Sequence, residues 1–487
     1  MIRGSENGSE KEKSETGTMM DREQRTDLEL MLIKLLLLAV DTALFAAAWY
    51  LYYSKYLFAE TFYSKGHFFV IALFTVMYVS FAKLYGGFDL TTSSASDLGY
   101  GHAVAAVITA FFTYIVLWLL QRTLPNALPL LAVTGGMILS AVLWSGPAVR
   151  LTNRLLPPKR TVLIYAYSEA MENGRMIIKN MPWRFRLVGQ VAVDGDPAQA
   201  LEALRQMKAE AVMICGVSSS ARNDIVKFCI AEKMEAYVRP NIGDYLINGA
   251  RPMQMCSLPV MLCQRSCPSV WYLAVKRGMD IVLSLAALVV LSPLMLLTAA
   301  AIKLYDGGPV LYKQIRLTKD RKEFYVYKFR SMRVDAEKDG VARLASQGDD
   351  RITPVGKIIR SLRIDELPQL LCILAGTMTI VGPRPERPEI AAQYEKEMPE
   401  FALRLQAKAG LTGYAQVYGK YNTSPYNKLQ MDLQYIGSMG LVTDLKIIFA
   451  TIKVLFVPES TEGVEKGQTT ARKERSGGDG DSDLRDL

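Results

Sequence analysis

The chain has 487 residues, half of them hydrophobic, a slightly positive mean hydropathy and a formal net charge of +9. That length allows two or three domains, and the hydropathy argues against a wholly soluble protein. Six cysteines form no C-x-x-C pair, and the two histidines, His67 and His102, both lie in the first third. Chemistry in the remainder therefore falls to carboxylate, lysine, serine or cysteine side chains, which argues against a histidine triad or a His-ligated metal there.

Residues 1–27 are polar and of mixed charge, and read as a disordered tail. Four apolar runs follow, near Leu30–Leu51, Phe68–Phe81, Val104–Leu120 and Leu128–Val149. They predict an N-terminal bundle of four transmembrane helices over 28–150. The second run is short, and Lys83 extends it by snorkelling. Asp41 inside the first run is costly in lipid, so it is expected to face another helix. Arg22, Arg25 and Lys34 at one end, and Arg150, Arg154, Lys159 and Arg160 at the other, put both ends of the bundle in the cytoplasm. The loop holding Asp89 and Asp97 falls on the same side although it is acidic.

Residues 151–270 read as a Rossmann-like α/β cytoplasmic module. RTVLIYAY, LVGQVAVDG and AEAVMICG have strand character, and SEAMENGRMIIKN and NDIVKFCIAEKM have helix character. The first strand ends in Tyr165-Ala166-Tyr167-Ser168. A dinucleotide site there needs glycines for close approach to a pyrophosphate, so a structural or regulatory role is expected.

A fifth apolar run, Ile281–Ile302, is interrupted by Pro293 and flanked by cations on both sides: Lys276 and Arg277 before, Lys303, Lys313 and Arg316 after. A crossing would leave one basic flank outside. A re-entrant helix broken at Ser292-Pro293 satisfies both flanks, with Ser292 serving backbone groups freed by the proline. An ordinary kinked span is the alternative. A mainly α domain over 271–457 and a disordered tail over 458–487 complete the chain.

The segment DDRITPVGKIIRSLRIDELPQLLCILAG carries the strongest chemical signal. Thr353-Pro354 starts a helix. Arg360 and Arg363 lie three apart on it and are expected to point the same way. Asp365 and Glu366 follow, and Pro368 allows a second helix to begin around them and run to Gly376. A carboxylate at a helix N-terminus beside arginines is held ionised, which suits a nucleophile toward phosphorus or a Mg²⁺ ligand. Read alone, the pair is only a cap and a partner for Arg363. The reading gains weight from Lys328 and Arg330 in YKFRSM, Arg384 in VGPRPE, and the glycines and Lys420 of GLTGYAQVYGK, a cation set suited to phosphates.

KRGMDIVLSLAALVVLSPLMLL, GGPVLYKQIR, YKFRSM, DDRITPVGKIIR, IDELPQL, VGPRP and GLTGYAQVYGK occur in that order. Together they resemble the bacterial sugar transferases, the monotopic polyprenyl-phosphate phosphoglycosyl transferases, over about Lys276–Val457. The upstream half resembles the large subclass, with four membrane helices and a Rossmann-like module. The resemblance implies transfer of a sugar-1-phosphate from a UDP-sugar to undecaprenyl phosphate, with release of UMP. Asp365 would be the nucleophile, and Glu366 would bind Mg²⁺ with it or handle protons. Lys328, Arg330, Arg360, Arg363, Arg384, Lys420 and Asp432 would bind substrate and its phosphates. Lys420 departs from the Arg that many members carry there and loses the bidentate fork. The resemblance also implies the re-entrant helix, interfacial amphipathic segments such as Asp444–Phe456, a bacterial inner-membrane location facing the cytoplasm, and a homodimer. No nucleic-acid partner is expected. The competing readings are a membrane-anchored nucleotide-sugar dehydratase or epimerase, which would bind NAD, and a non-catalytic scaffold of polysaccharide assembly.

Overall fold

The computed structural model describes residues 28–36, 38–53, 64–334, 336, 349, 351–419 and 423–455. The expected tails, Phe456 and Lys420 lie outside them. The chain divides into two compact units, Met1–Arg239 and Pro240–Leu487.

The first unit opens with four long apolar helices: α1 (Leu28–Tyr52, with a π-helical end over Trp49–Tyr53), α2 (Ser64–Leu84), α3 (Ala95–Gln121) and α4 (Leu128–Leu155). They share a core built around Phe45, Trp49, Phe74, Leu117 and Met137. The short second run lies in a 21-residue helix whose last turn holds Lys83. Asp41 is fully buried, and Tyr78 of α2 donates its hydroxyl to it. The carboxylate therefore faces a neighbouring helix rather than lipid.

A four-stranded parallel sheet follows, in the order β2-β1-β3-β4, from β1 (Lys159–Tyr165), β2 (Phe185–Ala192), β3 (Ala211–Cys215) and β4 (Glu235–Val238). Helices α5 (Ser168–Asn180), α6 (Ala198–Gln206) and α7 (Ser219–Ala231) connect the strands. Strand alternation sends Val162 and Ile164 to the face covered by α6 and α7, and Leu163 to the face covered by α5. Burial on both faces explains why the central strands read as unbroken apolar runs. The order changes direction at β1, where dinucleotide-binding folds open a crevice. Here the Tyr167 ring lies against Gly216 (φ +68°), so close that a Cβ on Gly216 would sit 2.6 Å from it.

The second unit begins with α8 (Ile242–Asn248) and the antiparallel hairpin β5 (Arg251–Met255) and β6 (Leu258–Leu262). Ile242 and Tyr245 pack into the core formed by Leu429, Leu433 and Ile436, so this stretch belongs with the C-terminal half and not with the parallel sheet. Next come α9 (Val270–Asp306) and the hairpin β7 (Leu311–Leu317) and β8 (Glu323–Phe329). Then follow α10 (Pro354–Ser361), α11 (Gln369–Ala375), β9 (Thr379–Val381) and α12 (Pro388–Glu397). The chain closes with β10 (Gly410–Thr412, parallel to β9), α13 (Tyr414–Tyr418), α14 (Pro425–Gly437) and α15 (Leu441–Leu455).

Helix α9 corrects one expectation. It runs unbroken through Pro293 for 37 residues, about 55 Å at 1.5 Å per residue. Proline removes the N–H that would bond the carbonyl four residues back. Ser292 Oγ donates to that carbonyl, Val289 O, at 2.8 Å, so the ladder loses no partner at the proline. One face of α9 packs on its own unit from end to end. Lys276 reaches Asp444 at 2.7 Å, Asp280 accepts from Thr379 and from Ile380 N, and Leu288 packs near Ile373. Farther along, Ile302 packs with Phe329, Ile359 and Ile364. The other face exposes Val282, Leu285, Val289, Val290, Leu296 and Leu297.

Helix α10 starts where expected, with Thr353 capping Gly356 N at 2.9 Å. Gly356 is required by contact: a Cβ there would lie 1.9 Å from Ser331 O. Gly356→Ala is expected to destabilise the second unit by about 1–3 kcal/mol, measured by thermal or denaturant unfolding. An unchanged transition would contradict that packing.

Candidate active site

Three chain segments converge on Glu366. In β8, Phe324 and Val326 alternate into the core, and the same period turns Lys328 inward. Its ammonium donates to Glu366 Oε1 at 2.8 Å. From the segment after β9, Arg384 Nη2 donates to the same oxygen at 2.8 Å. The dyad itself lies on a 3₁₀ turn, Ile364–Glu366, one turn before α11.

That turn is set up by Arg363, whose φ of +54° is left-handed. It ends α10 at Ser361, so Arg360 and Arg363 do not share a helix as the spacing suggested. Both still act on the dyad. The charge of Arg360 lowers the pKa of Asp365, and Arg363 feels both carboxylates.

The two acids respond differently to this environment. Burial pushes Glu366 up, but Arg384 and Lys328 outweigh it and hold Glu366 well below the usual carboxylate range. Burial also raises Asp365, and the charge of Glu366 adds to it, so its pKa stays raised against Lys328, Arg360 and Arg384. The sequence suggested an ionised aspartate stabilised by a helix end and two arginines. Desolvation and the adjacent glutamate reverse that balance. Burial likewise lowers the Lys328 ammonium. Among the described residues, neither the Asp365 carboxylate nor Glu366 Oε2 accepts a hydrogen bond.

Two expected binding residues are placed elsewhere. Arg330 is 7% exposed and is spent on Asp306 at the end of α9 and on Pro309 O. Asp432 is 1% exposed and holds Arg404, with its pKa pushed up to about 6 by burial against the pull of Arg404. The glycines of GLTG serve the backbone. A Cβ on Gly410 would lie 2.1 Å from Gly382 N, and one on Gly413 2.2 Å from Gly382 O. They let β10 lie against the segment that carries Arg384. Arg404 and Arg316 support that segment from behind. The sequence placed Arg316 only as a basic flank of the fifth apolar run, and it did not single out Arg404, which no local motif marks.

A left-handed φ suits glycine and penalises β-branched residues. Arg363→Gly should therefore keep the thermal transition within about 1 kcal/mol of the parent. Arg363→Val should lower it clearly. Equal transitions would contradict the conformation assigned to the turn.

The bacterial sugar transferase family pattern matches residues 271–458. A UDP-N-acetylgalactosamine-undecaprenyl-phosphate N-acetylgalactosaminephosphotransferase of Aeromonas hydrophila is 43% identical over 191 residues, covering 39% of this chain and 45% of that protein. An undecaprenyl-phosphate glucose phosphotransferase of Komagataeibacter xylinus is 33% identical over 319 residues, 62% of this chain and 60% of that protein. The chain thus spans about half the length of these two curated relatives. An exopolysaccharide production protein, PSS, of Rhizobium leguminosarum bv. phaseoli is 42% identical over 200 residues, 39% of this chain and 98% of that protein. With the catalytic unit matched along nearly all of that shorter relative, the chain belongs to the bacterial sugar transferase family.

Proposed function

We propose that the chain transfers a sugar-1-phosphate from a UDP-sugar to undecaprenyl phosphate through a covalent aspartyl intermediate, releasing UMP and starting exopolysaccharide, capsule or O-antigen assembly. The observation that carries this reading is the charge arrangement at the dyad. Glu366 holds two cations in place, while the Asp365 carboxylate beside them accepts no hydrogen bond among the described residues. The names of the relatives, undecaprenyl-phosphate phosphotransferases of N-acetylgalactosamine and glucose, support the donor and acceptor classes.

In the first step an Asp365 oxygen attacks the phosphorus that bears the sugar. The bond from that phosphorus to the bridging oxygen breaks, and UMP leaves with the oxygen. In the second step an oxygen of the lipid phosphate attacks the same phosphorus, and the acyl-phosphate bond breaks. Asp365 is regenerated, and undecaprenyl-diphosphosugar leaves. Lys328, Arg360 and Arg384 stabilise charge on the phosphoryl oxygens as it shifts. A covalent intermediate lets the soluble donor and the lipid acceptor use one site in turn.

Mg²⁺ is the expected cofactor, and the free oxygens fit it: Asp365 and Glu366 Oε2 would hold it together with donor phosphate oxygens. No group of three ligating side chains occurs among the described residues, so the phosphates would complete the set. Bound there, it would neutralise charge on the diphosphate.

Among the described residues, five helices are long and apolar enough to cross a membrane by length and composition. Both ends of α9 pack on the same unit, which supports a bilayer-lying placement with both flanks cytoplasmic. Exposed Ile358 and Leu362 beside α10, and Val442 and Leu445 on α15, support an interfacial seat, because α15 turns its Asp444 inward to Lys276. The apolar hairpin β5–β6, exposed on both strands, supports the expected homodimer.

Asp365→Asn is expected to reduce transfer by about 10³-fold or more without loss of membrane insertion, assayed as UMP release with Mg²⁺, undecaprenyl phosphate and a panel of UDP-sugars. Full activity in that variant would reject the nucleophile. Because attack needs an ionised Asp365, the rate should fall as pH drops through the raised apparent pKa of the dyad. Lys328 lowers that value, so Lys328→Gln should move the acid limb to higher pH. A limb that stays in place would contradict the electrostatic assignment.

A further inference from the structure

We infer that Arg404 and Arg316 are positioning residues, which fix the backbone of residues 383–386 and so hold Arg384 against Glu366. The inference rests on the reading of the dyad given above and deepens it.

The segment Pro383-Arg384-Pro385-Glu386 has two prolines and hence two missing N–H groups. It cannot brace itself with its own amides. All four of its carbonyls instead accept from donors outside it. Gly410 N bonds Pro383 O at 2.9 Å, Arg404 Nη2 bonds Arg384 O at 2.8 Å, Arg316 Nη1 bonds Pro385 O at 3.1 Å, and Leu317 N bonds Glu386 O at 3.0 Å. Two of the four clamps are side chains, and both are guanidinium groups.

Each guanidinium is itself held. Arg404 donates from Nε to Asp432 Oδ2, its Nη2 lies 2.8 Å from the same oxygen in an ion pair, and its carbon lies 4.9 Å over the Phe401 ring. Arg316 donates to Gln314 at 2.6 Å. Glu386 sits between them, 3.7 Å from Arg404 Nη1 and 3.8 Å from Arg316 Nη1. The chain Asp432, Arg404, Glu386, Arg316 alternates in sign and is largely buried. A buried ion pair is weak as a device for stability, since apolar groups of similar volume often serve as well. It does fix geometry, because a guanidinium fork reaches a carboxylate and a carbonyl together. Lysine, with one point charge, cannot keep both contacts in the same directions.

The test is a double-mutant cycle on the transfer rate of the full chain in detergent or vesicles. Arg404→Lys and Arg316→Lys are each made alone and in an Arg384→Gln background, with unfolding transitions recorded for all. Each lysine variant should keep its unfolding transition near the parent's. It should lose about 10- to 100-fold in kcat, the range expected for displacing a catalytic group by about 1 Å. In the Arg384→Gln background the same substitutions should cost less than about twofold, because their effect passes through Arg384. Losses that simply multiply in that background would overturn the proposal, and so would lysine variants at full rate. If Arg404→Lys fails to fold, the Arg316→Lys cycle decides in the same way. Asp365→Asn runs beside them. Activity there would reject the aspartyl reading while leaving the coupling between 404, 316 and 384 measurable.

Discussion

Glu366 is the electrostatic hinge of the catalytic unit. One of its oxygens takes hydrogen bonds from both Lys328 and Arg384, side chains 56 residues apart in the chain. A carboxylate removed from water would ordinarily take up a proton. Two cations in contact reverse that and keep it charged. Because it stays charged, the hairpin β7–β8, the dyad turn and the Pro-Arg-Pro segment share an anchor. Asp365, next in the chain, feels the same burial together with the repulsion of its neighbour. Adjacent acids thus differ in state, one held charged by its cations and the other raised by burial and by its neighbour.

The anchor is connected to the long apolar helix α9 through packed polar contacts. Asp280 of α9 holds Thr379 and Ile380, the strand that leads into Arg384. Lys276 reaches Val381 O and Asp444, and Tyr435 bonds both of the same partners. Arg277 caps α11 through the carbonyls of Ile373 and Leu374. Removing one partner from a buried pair such as Lys276–Asp444 costs about 3–5 kcal/mol. The seat of α9 and the geometry of the site are therefore parts of one structure.

Local pattern carried much of this into view. The apolar strand runs of the parallel sheet, the helix start at Thr353, the need for a partner at Asp41 and the adjacent acids were all legible, because each depends on neighbours within a few residues or on a single buried charge. Contacts between distant segments were not. Arg330 and Lys328 lie in one motif two residues apart, yet one serves Asp306 and the other Glu366. Arg404 and Asp432 meet across 28 residues. The close approach of Gly410 and Gly413 to Gly382 was likewise hidden, since it joins segments far apart in the chain. Pro293 suggested a break, and a single serine hydroxyl on Val289 O suffices to carry the helix through.

The most direct measurement is a single-turnover reaction of purified protein with Mg²⁺ and a UDP-sugar donor in the absence of lipid acceptor. The account predicts about one equivalent of UMP per active site, a mass increase equal to a phosphosugar, and an adduct mapped to Asp365 that vanishes when undecaprenyl phosphate is added. A donor known to support turnover that yields no UMP and no adduct until the lipid is present would mean direct transfer between bound substrates, and would contradict it.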